Sequence, residues 1–206
     1  MADIFELLRS ISKKEEPIGS PEYIVVCLGN PGREYERTRH NAGFMFASYL
    51  CQKKEFDISR SRFHALVGVT DVSGKKVLFV CPQTFMNASG TAAREAADFY
   101  KIPPEKIIVV CDDVSFDPGK LRIRRKGSDG GHKGLRDIIY QLNSDNFPRI
   151  KLGVGAKPQG YDMADWVLGR LPEDDQKKLS SRFDDVAAAI ALIIDGRCEE
   201  AMNKFN

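Results

Sequence analysis

The chain has 206 residues, 42% hydrophobic and 29% charged, with a formal net charge of +2. These values are ordinary for a soluble globular protein of one main domain. No apolar run approaches the roughly 18–20 residues of a bilayer span, and the amino terminus lacks the apolar core of a secretory signal, so a cytoplasmic protein without a membrane partner is expected.

Residues 1–22 read as an extension and linker. Ile4, Leu7, Leu8 and Ile11 have helical spacing over 2–12, and Gly19, Ser20 and two prolines mark the linker that follows. The compact domain is expected over 23–206. It opens with a strand at 23–28, then a polar loop, then a helix at 42–53. Strands are expected at 63–72 and 76–81 around a turn at Ser73-Gly74, and a helix at 89–101 that Pro103-Pro104 ends. A strand at 106–111, a basic strand at 120–124, a helix at 134–142 and a strand at 149–154 follow. One long helix is expected from Pro172 to about Asp195, stopped by Gly196, and a short one over 198–204. This alternation predicts an α/β protein: a mixed, mostly parallel central sheet with helices on both faces.

The charge is unevenly spread. Residues 118–157 hold ten Lys/Arg against three Asp/Glu. Such a block suits a polyanion such as nucleic acid, or forms a solvated strand face. Cys27, Cys51, Cys81, Cys111 and Cys198 form no CxxC pair and no zinc spacing, which predicts reduced, buried thiols and no metal.

Three polar loops follow predicted strands. The first carries Asn30, Tyr35, His40 and Asn41; the second carries Met86 and Asn87; the third opens with Asp112 and Asp113. In a parallel sheet the carboxyl ends of neighbouring strands share one edge, where ligands bind. A histidine beside a carboxylate can take a proton from water. His40 with Asp112 makes such a pair, with Asp113 as the alternative carboxylate, and Asn30 and Asn87 can donate to carbonyl oxygens. A glycine-rich segment with His132 leads into a helix. Ser89 lies outside a nucleophile elbow and the cysteines lie in apolar runs, so water is the expected attacker. His64, between Phe63 and Ala65 in a predicted strand, reads as structural.

The motifs GNPG, Tyr35, TRHNAG, TFMN-SG, Asp112 seven residues before Gly119, GGHKGL and FPRIKLGVG occur in that order. With these motifs the chain resembles the bacterial-type peptidyl-tRNA hydrolases over about Tyr23 to Asn203. The resemblance implies a monomeric three-layer α/β/α fold that needs no cofactor. It implies hydrolysis of the ester between a peptide and the 3′-terminal ribose of tRNA. His40 matches the base, Asp112 its orienting carboxylate, and Asn30 and Asn87 the amides that hold peptide and water. Tyr35, Met86, His132 and Asn41 are assigned to substrate binding, and Arg122, Lys151, Lys120 and Arg124 to tRNA. Lys133 departs from the family pattern, which usually has asparagine there. The rival reading is a non-catalytic RNA-binding scaffold of the same fold, which would not need His40, Asp112, Asn30 and Asn87 together.

Overall fold

The structure, a computed structural model, describes residues 20–206. The helix expected over 2–12 and most of the linker lie outside the described residues. In chain order the elements are β1 (Tyr23–Cys27), α1 (Ala42–Lys54), β2 (Arg60–Arg62), β3 (Ala65–Val72), β4 (Lys75–Pro82) and α2 (Ser89–Tyr100). Then come β5 (Ile107–Asp113), β6 (Leu121–Arg124), α3 (Lys133–Leu142), β7 (Arg149–Gly153) and α4 (Met163–Leu168). The chain closes with α5 (Glu173–Ser180), α6 (Phe183–Ile194) and α7 (Cys198–Phe205).

The seven strands form one sheet in the order β2-β3-β4-β1-β5-β7-β6. β4, β1, β5 and β7 are parallel neighbours, and antiparallel pairings add β3 and β6 at the flanks. The central strands are apolar without alternation because both faces are covered. Val25, Cys27, Ile108 and Val110 pack into one core with Phe46 of α1 and with α6 and α7. Ile24, Val26, Val109 and Cys111 pack into the other with the alanines of α2 and with Leu135 and Ile138 of α3.

Several expected elements differ, each for a local reason. β3 begins at Ala65, because Phe63 and His64 both take positive φ and turn the chain back into β2. Histidine enters the left-handed region more readily than most residues but Phe63 does not, and the apolar run around them masked the turn. His64 sits at that turn and meets Glu95 at 3.0 Å. β5 runs on through Asp112 and Asp113, which pair with Leu152 and Gly153 of β7. These acids therefore stand on a strand end rather than on a loop.

The single helix expected after Pro172 is two, α5 and α6, broken at Ser181-Arg182. The hydroxyls of Ser180 and Ser181 bond back to the carbonyls of Lys177 and Lys178, a local competition with the helix ladder. Arg182 turns away to donate to the Gly119 carbonyl at 2.8 Å. Helix α4 has no counterpart among the expected elements, although Asp162 caps it by accepting from Ala164 and Asp165 N–H.

The start of α1 lies directly on the sheet backbone. A Cβ on Gly43 would stand 2.5 Å from the Leu28 nitrogen and 2.6 Å from the Val110 oxygen. Backbone atoms of a central strand cannot yield as a side-chain tip can. Gly43→Ala should therefore destabilise the fold by about 1–3 kcal/mol, read from the urea midpoint. An unchanged midpoint would mean that α1 can lift off without cost.

Candidate active site

β1, β4 and β5 end at the same edge of the sheet, so their loops meet. Between them lies a cleft of about 510 Å³ lined by Asn30, Tyr35, His40, Met86, Asn87 and Asp112, among others. The floor is Asp112, whose side chain is almost fully buried. Its Oδ1 faces His40 Nδ1 at 2.8 Å and His132 Nε2 at 3.0 Å. His40 arrives from the short turn before α1, and His132 from the N-cap of α3 on the other face of the sheet. The two rings lie 4.8 Å apart.

Hydrogen bonds assign the tautomers. His132 Nδ1 accepts from the N–H groups of Gly134 and Leu135 at 3.1 and 3.3 Å. Its proton is therefore on Nε2, which donates to Asp112. Burial alone would raise the Asp112 carboxyl. Attraction to His132 and His40, with hydrogen bonds from both rings, overcomes this and holds it well below the usual carboxylate range. An ionised Asp112 can only accept, so His40 donates from Nδ1 and its Nε2 is left for the cleft.

Two imidazoles and a carboxylate within 4.8 Å of one another also have the donor set of a metal centre. The network does not fit one. A ring that ligates through Nε2 carries its proton on Nδ1, where His132 already accepts two backbone N–H groups.

The amides divide into a brace and two donors. Asn41 accepts from Asn30 N and donates to Asn30 O, both at 2.9 Å. It is 2% exposed and does not line the cleft. Both ends of its amide hold the Asn30 loop, so the structure gives Asn41 a bracing contact beside the cleft. Asn30 Oδ1 accepts from Met86 N at 2.8 Å, which ties the first loop to the second and leaves Nδ2 for the cleft. Asn87 is exposed on the cleft wall, and its amide has no partner among the described residues. Met86 is buried, and its sulfur packs where a Cβ on Gly134 would come within 2.5 Å.

Ser89 and the buried cysteines are poor nucleophiles here. Ser89 is fully buried and donates to the Met86 carbonyl. Burial pushes the Cys111 thiol up, and a hydrogen bond to Cys81 together with burial does so at Cys27. All five cysteines are free.

The sequence profile of the peptidyl-tRNA hydrolases matches residues 24–206. The chain belongs to the peptidyl-tRNA hydrolase family. It is 48% identical over 184 residues to the peptidyl-tRNA hydrolase of Caldanaerobacter subterraneus subsp. tengcongensis, covering 89% of this chain and 99% of that one. It is 45% identical to the enzyme of Clostridium novyi, covering 89% and 97%. The crystal structure of the Acinetobacter baumannii peptidyl-tRNA hydrolase superposes with a TM-score of 0.84 at 35% identity, covering 91% of this chain and 95% of that one.

Against that family's pattern, the cations are less uniform than their spacing implied. Lys151 is in the cleft wall, where its ammonium meets Asp113 Oδ2 at 2.8 Å. Burial would raise the Asp113 carboxyl, but hydrogen bonds from Lys151 and Ser115 outweigh it and hold the acid ionised. Lys120 is exposed and paired with Asp117 at 3.1 Å. Arg122 stacks over Phe116, and Arg124 is exposed; neither has a carboxylate partner among the described residues. Arg122 is the register partner of Lys151, so the basic edge runs up to the cleft.

Tyr35 meets exposed Phe85 edge-on at the cleft, an apolar neighbour inside TFMN that the motifs alone do not single out. The opposite wall is α4, held by Arg39, whose guanidinium stacks 3.5 Å from the Trp166 ring centre. Exposed Lys133 also lines the cleft. Across from it, hydrogen bonds from Asp165 and Ala164 N–H, with attraction to Lys133, hold the Asp162 carboxyl below its usual range.

The depressed Asp112 has a consequence for acid stability. Its folded carboxyl lies below its unfolded value of about 3.9, so its contacts stabilise fully above that pH and are lost as pH falls further. Urea titrations at stepped pH should show wild-type stability falling below about pH 4, with a shallower fall in Asp112→Asn. Equal slopes in the two proteins would mean that Asp112 is not ionised by its two rings.

Proposed function

We propose that this cleft hydrolyses the ester joining a peptide, or an N-blocked amino acid, to the 3′-terminal ribose of tRNA. The observation that carries the reading is His40: Nδ1 is held by an ionised Asp112 at 2.8 Å while Nε2 faces a cleft that Asn30 and Asn87 also line. A non-catalytic scaffold would have no use for that combination. Water bound at Nε2 gives its proton to the ring as its oxygen attacks the ester carbonyl. Asp112 stabilises the imidazolium that forms. The C–O bond to the ribose then breaks, and the proton on Nε2 passes to the departing 3′ oxygen. The products are the peptide carboxylic acid, which loses its remaining proton to solvent, and tRNA with a free hydroxyl.

Uncharged amides suit this substrate. Asn30 Nδ2 and Asn87 can donate to the carbonyls of a peptide, and a substrate lacking those carbonyls leaves the donors unpaired. Tyr35, Phe85 and Met86 supply apolar surface beside them. The tRNA backbone is a polyanion, and Arg122 and Arg124 stand as unpaired cations on the edge strand next to the cleft.

His40→Ala should abolish release of peptide from peptidyl-tRNA while tRNA affinity stays nearly unchanged. Retained turnover in that variant, in a single-turnover assay, would remove His40 from the reaction. Arg122→Ala should weaken tRNA binding and reduce the slope of log K against log salt by about 1. A short 3′-terminal fragment should bind nearly as before. An unaltered salt slope would show that Arg122 meets no phosphate.

A further inference from the structure

The two imidazoles on Asp112 are supported differently. His40 is locked between β1 and α1. His132 follows Gly127-Ser128-Asp129-Gly130-Gly131, whose glycines take φ of +141°, +58° and +85°. Glycine backbone loses the most conformational freedom on ordering and cannot stiffen itself. Yet His132 must keep Nε2 on Asp112 and Nδ1 under two backbone N–H groups.

Beneath this loop lies Arg149, the first residue of β7 and 1% exposed. Among the described residues its guanidinium hydrogen-bonds to carbonyls alone, with the Asp145 carboxylate near enough to attract it. Nη1 donates to Gly127 O and, at 3.1 Å, to Ser128 O. Nη2 donates to Asp145 O at 2.9 Å, and Nε to Phe147 O at 3.3 Å. Burial lowers its pKa, which marks the cost of a cation held there. An apolar side chain could fill the same volume without that cost. What the guanidinium adds is a rigid planar fork of donors. Two of the four carbonyls it holds open the loop. Asp129 continues from there: its carboxylate accepts Gly131 N at 2.7 Å, and its carbonyl accepts His132 N at 3.1 Å.

We infer that Arg149 is a positioning residue for the hydrolytic site: it fastens the start of the glycine loop so that His132 reaches Asp112 with its proton on Nε2. This rests on the proton path proposed above. Arg149 touches no substrate and acts through the loop alone.

The chain holds three histidines, so nitrogen-15 imidazole spectra can resolve each ring. The test compares Arg149→Met, Arg149→Lys, His132→Gln, His40→Ala and the Arg149→Met/His132→Gln double variant in the full chain. Arg149→Met should lower kcat about 10²-fold toward an N-blocked aminoacyl-tRNA with KM within about twofold. It should erase the Nε2–H signature of His132 and leave His64 unchanged. Arg149→Lys should fall between it and wild type. The double variant should be no slower than His132→Gln, because both changes break one connection. An intact His132 signature in Arg149→Met, or losses that multiply in the double variant, would overturn the inference. Should Arg149→Met fail to fold, Arg149→Lys carries the same readouts: a weakened His132 signature with lowered kcat supports the inference, and an intact signature overturns it. Normal turnover by His40→Ala would defeat the proton path instead, and the His132 spectrum would still decide whether Arg149 sets that ring.

Discussion

One oxygen atom is shared by side chains that come from the two faces of the sheet. Asp112 Oδ1 accepts an N–H from a ring delivered by the α1 side of the sheet and another from a ring delivered by α3 on the opposite side. A carboxylate buried at a strand end is costly unless donors surround it, and here two imidazoles do so. The same bonds give the site its polarity. The second nitrogen of His132 is occupied by backbone N–H groups, while the second nitrogen of His40 is not. Of the two similar rings on one acid, only His40 is left to accept a proton from the cleft.

Charge is sorted with comparable economy around that oxygen. Two adjacent acids, Asp112 and Asp113, would repel each other and any anion near them unless each were paired. Asp112 is covered by the two rings and Asp113 by Lys151. Arg122 and Arg124 on the edge strand, beyond that pair, have no carboxylate partner among the described residues. The arrangement keeps neutral amides beside His40 and places the positive charge along the neighbouring edge strand. Lys151 stands at the boundary, with its ammonium already engaged by Asp113.

Much of the site was legible because apolar strand runs locate themselves. Once β1, β4 and β5 are read as parallel neighbours, their following loops must converge, so His40, Asn30, Asn87 and Asp112 could be grouped from chain positions far apart. Residues whose role depends on a specific partner were not legible in the same way. Asn41 looks like Asn30 in sequence, but it braces the loop where Asn30 reaches the cleft. Lys151 looks like Arg122 until Asp113 is seen beside it. Arg149 sits in a basic run yet is buried among carbonyls. The break between α5 and α6 and the turn at Phe63-His64 were hidden because the apolar pattern runs through both.

The sequence by itself determined most of the strands and helices, the apolar faces and the set of polar residues brought to one edge. These follow from periodicity and from the shared direction of parallel strands, which are local properties. Only the tertiary structure decided which nitrogen carries a proton, which amide is spent on the backbone and which cation is already paired. Those choices depend on distances of about 3 Å between residues remote along the chain, and no single segment encodes them.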